Sequence, residues 1–162
     1  LYYSSVLSLE FFYSLFILSS LITIFFIDLK HQIIPDKITY PAILISLLFV
    51  ILNHQSLVFN YIFSAIGASV FFLILFILTK GKGLGFGDVK LAALMGLFLG
   101  FPKIILAIYS AFLTGAIFGL ILILWKKKGL KDKIAFGPFL VAGTILSFFL
   151  GDHLASLWSN FL

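Results

Sequence analysis

The sequence predicts an all-α, polytopic membrane protein of about six transmembrane helices. Three observations carry that expectation. The mean hydropathy is +1.23, and 62% of the 162 residues are hydrophobic against 10% charged. No soluble domain of this length could bury so much apolar surface. The apolar runs are continuous rather than alternating, which sets strands aside. Finally, the eleven basic residues are all lysine and sort almost entirely to one side of the spans the hydropathy suggests.

The first apolar run extends from Leu7 to Ile27, about the 20 helical residues needed to cross a hydrocarbon core. Glu10, near its start, belongs in the interface. Ile27-Asp28-Leu29-Lys30-His31 and Ile33-Ile34-Pro35-Asp36-Lys37 then argue that the helix leaves the membrane and turns. A shorter run, Ile38 to Leu52, is extended by helix on the polar side. Asn53-His54-Gln55-Ser56 makes a turn, and Leu57 to Thr79 crosses back, with Gly67, Ala68 and Ser69 suited to close helix packing.

Lys80 to Lys90, KGKGLGFGDVK, is charged and glycine-rich between two membrane runs, so it lines water or lies in protein. The run after it, Leu91 to Phe101, is the shortest. Begun at Gly87 or Asp88 it gives a helix of about 14 residues, roughly 21 Å, too short to span with both ends in water. Asp88 is therefore expected in a water-accessible dip. Pro102 and Lys103 turn the chain, Ile104 to Trp125 crosses, and Trp125 sits at the interface. The basic stretch Lys126 to Lys133 follows, and Phe139 to about Trp158 is the last span.

With alternating loops, ten lysines fall together and only Lys103 falls opposite. The positive-inside bias makes their side cytoplasmic and places both chain ends outside. Residues 1–162 read as one transmembrane domain. Because the first residue is Leu1, with no basic segment or cleavage site before the first run, the sequence is expected to be part of a longer protein. The absence of cysteine excludes disulfides and thiolate metal sites. His31, His54 and His153 fall on both faces, so no histidine metal site is expected, and the net charge of +5 reflects topology rather than nucleic-acid binding.

Of six acidic residues, Asp132 reads as a solvated loop charge, Asp152 as interfacial, and Asp36 as a cap of the helix beginning near Lys37. Asp28 and Asp88 differ, each standing where an apolar run meets the lysine-rich face. Charges beside hydrocarbon are costly unless paired or wetted, and so are candidates for function. Two carboxylates at one depth on separate helices can share a proton, one acting as general base on water and the other as general acid. The structural alternative has Asp28 neutralising Lys30 and Asp88 capping the short helix beside Lys90. Gly85 and Gly87 leave bare backbone that an extended chain could approach.

Gly85-Phe86-Gly87-Asp88-Val89-Lys90, preceded by Ile27-Asp28 and Ile33-Ile34-Pro35-Asp36 and followed by Phe136-Gly137-Pro138-Phe139-Leu140, resembles the type IV prepilin peptidases over nearly the whole chain. GxGD alone is shared with presenilin and signal peptide peptidase; the accompanying segments, in this order, make the match specific. Ala135 stands where the family often has proline.

The resemblance implies a membrane aspartyl endopeptidase with Asp28 and Asp88 as the catalytic pair. It implies cleavage of prepilin or pseudopilin leaders after a glycine, on the cytoplasmic side of a bacterial inner membrane. Gly85, Phe86, Gly87, Lys90, Pro35, Gly137 and Pro138 would shape the site. Proteolysis would need no cofactor or metal. S-adenosylmethionine would serve only a longer, methylating parent with a cysteine-bearing N-terminal region. The partners implied are prepilin precursors and membrane lipid. The nearest rival is an archaeal preflagellin-type peptidase. A small proton-coupled transporter or channel is a rival from another class, for which the spans offer mainly Ser, Thr and Gly.

Overall fold

The computed structural model describes residues 9–54, 56–81, 83–125 and 135–159, with side chains for all of these except 123 and 152–159. Among the described residues six helices follow in order: α1 (Leu9–His31), α2 (Asp36–Asn53), α3 (Val58–Leu78), α4 (Phe86–Leu99), α5 (Lys103–Leu124) and α6 (Gly137–Ser159). The chain is a multi-pass membrane protein. By length and composition α1, α2, α3 and residues Lys103–Leu122 of α5 can each cross a bilayer, and the apolar stretch Gly137–Gly151 of α6 is shorter. The expectations on Gln55, Lys82 and Lys126 to Lys133, Asp132 included, lie outside the described residues, as do those on the side chains of Asp152 and His153.

The bundle is built around its shortest helix. α4 has only 14 residues, yet nearly every side chain from Asp88 to Leu99 is buried. It packs against α2, α3, α5 and α6, while α1 packs on α2 and α6. A helix that is apolar all round has no face to give to lipid and is covered by other helices. The outer surface is correspondingly greasy, with Phe26, Leu44, Phe59, Phe63, Ile77 and Leu120 exposed. In water such a surface would aggregate; in a bilayer it is the lipid contact.

Two backbones meet most closely where α3 crosses α4. A Cβ on Gly96 would overlap the backbone of Ser64 and Ala65. Gly67, expected to serve close packing, does not: a Cβ there would meet nothing within 4 Å. Neighbouring Ala68 is buried as expected. Several hydroxyls inside the helices are satisfied locally. Ser20, Thr39, Ser64 and Thr144 each donate to the carbonyl four residues back. Ser147 instead reaches across to the Lys103 carbonyl, joining α6 to α5 at 2.7 Å.

The two ends of the bundle are chemically different. At one end the C-terminus of α1, the start of α2, the segment before α4 with the first turn of α4, and the residues just before α6 enclose a common cavity. At the other, Asn60 exchanges two hydrogen bonds with the backbone of Phe101, at 2.7 and 3.2 Å, and clamps the α4–α5 turn.

Candidate active site

α1 runs four residues beyond the apolar run read from the sequence, so Asp28 lies in its last turns. The helix closes with the Gln32 N–H donating to the Asp28 carbonyl at 2.8 Å, and Gln32 adopts a left-handed φ of 54°. The Asp28 side chain is 4% exposed and accepts a hydrogen bond from the backbone N–H of Gly137, at the start of α6. Gly137 admits no side chain, since a Cβ would lie 2.5 Å from Asp28 Oδ2.

Asp88 is the third residue of α4 and 6% exposed. Its Oδ2 accepts the backbone N–H of Gly85 at 2.8 Å, while its own N–H donates to the Gly85 carbonyl at 3.1 Å. This carboxylate therefore does serve its helix N-terminus, as the structural alternative required. The same bond fixes its rotamer and leaves the second oxygen for other work. Asp28 makes no ion pair with Lys30 among the described residues.

Both carboxylates line one cavity of about 660 Å³. Pro35, Gly85, Gly87 and Lys90 line it too, as does Phe136. Three residues expected at the site, Phe86, Gly137 and Pro138, do not border the cavity, although Gly137 lies against Asp28 behind it. Phe86 is 51% exposed, with its ring against Phe76, and Pro138 is buried within the first turn of α6.

Two expectations are corrected. Asp36 does not cap α2: Pro35 is the N-cap, and the Asp36 carboxylate pairs with Lys90 on α4. Lys90 is therefore engaged with Asp36 rather than with Asp88. Its ammonium also lies over the rings of Tyr40 and Phe86, at 5.3 and 5.6 Å from their centroids. Gly87 does not offer open backbone, because a Cβ there would lie 2.8 Å from Ile34 Cβ. Gly85 does leave room, its nearest neighbour being Asp88 Oδ2 at 3.7 Å. Sequence reasoning passed over Ile34 itself. The signal was a pair of apolar residues, Ile33 and Ile34, directly before Pro35 in the turn between two helices.

Comparison with known proteins gives the family of the chain. A family described as "Type IV leader peptidase family" matches residues 15–120, a stretch that holds both Asp28 and Asp88. The chain belongs to the type IV leader peptidase family. Among curated relatives named prepilin leader peptidase/N-methyltransferase, that of Aeromonas salmonicida is 32% identical over 138 residues, 83% of this chain and 47% of the relative. The Legionella pneumophila protein is 30% identical over 145 residues, 87% of this chain and 50% of its own. That of Bacillus subtilis is 26% identical over 152 residues, 94% and 61%. The chain thus spans about half the length of the first two. No solved structure matches. The segment Phe136 to Leu140, which supplies the Asp28 hydrogen bond, lies beyond the family match.

Proposed function

We propose that this chain is a membrane aspartyl endopeptidase that removes the leader from type IV prepilin-like precursors, with Asp28 and Asp88 as its catalytic pair. The observation that carries this reading is the joining of two buried carboxylates, from helices 60 positions apart in sequence, in one cavity of a leader-peptidase family member. Two acids so placed hold one proton between them. The ionised aspartate takes a proton from water as the water oxygen attacks the scissile carbonyl. The protonated partner gives its proton to the carbonyl oxygen. Collapse of the tetrahedral intermediate breaks the C–N bond, and the departing amine leaves with a proton returned by the pair.

The six helices act as one peptidase domain in a bacterial inner membrane. The lysine-rich face, and with it the cavity, is cytoplasmic. Prepilin and pseudopilin precursors are the substrates, and proteolysis takes no cofactor. N-terminal methylation with S-adenosylmethionine belongs to longer relatives. A relay through the membrane is disfavoured by what lies beyond the cavity. Ile17, Leu21 and Ile24 of α1 and Leu91, Leu94 and Met95 of α4 are fully buried apolar residues, and the buried hydroxyls of Ser20, Thr39 and Thr144 each donate to the carbonyl four residues back rather than to one another.

The test is cleavage of a type IV prepilin by the purified chain in detergent, read by mass spectrometry of both products. A cut after the leader glycine with an unmethylated new terminus is expected. An intact prepilin, in the presence of well-folded protein, contradicts the reading. A methylated terminus formed on addition of S-adenosylmethionine would assign the transferase to these spans.

A further inference from the structure

Ile34 stands in the turn between α1 and α2, yet it is only 7% exposed. Two glycines explain where its side chain goes. Its Cβ, Cγ1 and Cδ1 fill the space over Gly87, lying 2.8, 3.3 and 3.3 Å from where a Cβ would stand. Its Cδ1 also lies 3.3 Å from the Cβ position of Gly137. Gly87 immediately precedes Asp88, and Gly137 is the residue whose N–H holds Asp28. One aliphatic side chain is therefore wedged between the supports of both carboxylates. The turn that carries it is tied down on both sides. Gln32 closes α1 upstream, and Asp36, two residues downstream, is paired with Lys90 on α4.

Resting on the peptidase reading above, we infer that Ile34 is a positioning residue: its side chain is the spacer that fixes the separation of Asp28 and Asp88. It touches no reacting atom. It acts by preventing α4 and the start of α6 from closing on one another or parting. The carboxyl groups are short and each is anchored by one backbone N–H, so their mutual distance follows the distance between Gly85–Gly87 and Gly137. Close packing transmits small displacements rather than absorbing them. A shift of about 1 Å at a catalytic group can cost on the order of 100-fold in rate.

The consequence is particular. Two acids sharing a proton titrate in two macroscopic steps, and the spacing of those steps reflects how strongly the acids interact. Besides Asp28 and Asp88, the charged side chains lining the cavity among the described residues are Asp36, Lys37 and Lys90. None of these is altered by a change at Ile34, so a change in the spacing of the steps reports the pair.

The experiment measures kcat, KM and the pH–rate profile for prepilin cleavage by the purified full chain and by Ile34→Val and Ile34→Ala. Asp28→Asn and Asp88→Asn serve as references. Ile34→Val removes only the outermost carbon, the one that reaches Gly137, and is expected to lower kcat about three-fold. Ile34→Ala is expected to lower it about ten-fold or more, with KM within about two-fold. In both, the spacing of the two limbs changes, widening where the carboxylates close on one another and narrowing where they part. Wild-type limb spacing in either variant, even with reduced kcat, overturns the spacer role, since lost folding lowers rate without moving the limbs. Should Ile34→Ala fail to fold, Ile34→Val decides. Failure of the wild type to cleave, or full cleavage by an Asn variant, instead overturns the peptidase reading and the spacer role with it.

Discussion

At Gly137 a single methyl group would compete with the hydrogen bond that orients Asp28. Gly137→Ala is expected to reduce kcat about ten-fold or more while leaving the chain folded, because the carboxylate must rotate or retreat. Steady-state kinetics beside a melting curve in detergent checks this. Asp36→Asn should be mild, within about five-fold in kcat, because an exposed ion pair is worth roughly 0–1 kcal/mol and an amide oxygen still accepts from Lys90. The two aspartates were legible in the sequence because each carboxylate abuts an apolar run, where an uncompensated charge is costly. The Asp36–Lys90 pair was not legible. It joins residues 54 positions apart, and only the docking of α2 on α4 brings them together.

Among the helices, spans and their limits were readable because apolar length is set by the bilayer. α4 was expected to be about 14 residues and is 14. Which helix lies at the centre was not readable as a face. α4 is apolar on every side, so its periodicity points nowhere, and only its enclosure by four neighbours identifies it. The two glycines on the α3–α4 pair separate these levels. Gly96→Val forces backbone apart from backbone and should destabilise by about 1–3 kcal/mol or more. Gly67→Ala, with open space around it, should leave the melting temperature within about 2 °C. Thermal unfolding of both variants in the same detergent tests the packing; equal melting temperatures would contradict it.

For the molecule as a whole, lysine distribution predicts that the cavity end faces the cytoplasm. The chain lacks cysteine, so single replacements report cleanly. Ser56→Cys should react with an impermeant thiol reagent from outside intact cells, whereas Lys30→Cys should react only after lysis. Labelling of Lys30→Cys from outside would invert the topology. The proposed function needs the end of α1 and the start of α4 to act together, so the most direct measurement is prepilin cleavage by Asp28→Asn, Asp88→Asn and the double variant. Amides keep the shape of the carboxylates and relieve buried charge, so all three should insert and purify. Each single variant should lose essentially all cleavage, and the double should be scarcely worse, as for residues that act as a unit. Full cleavage by either single variant, in a well-folded preparation, would contradict the paired site.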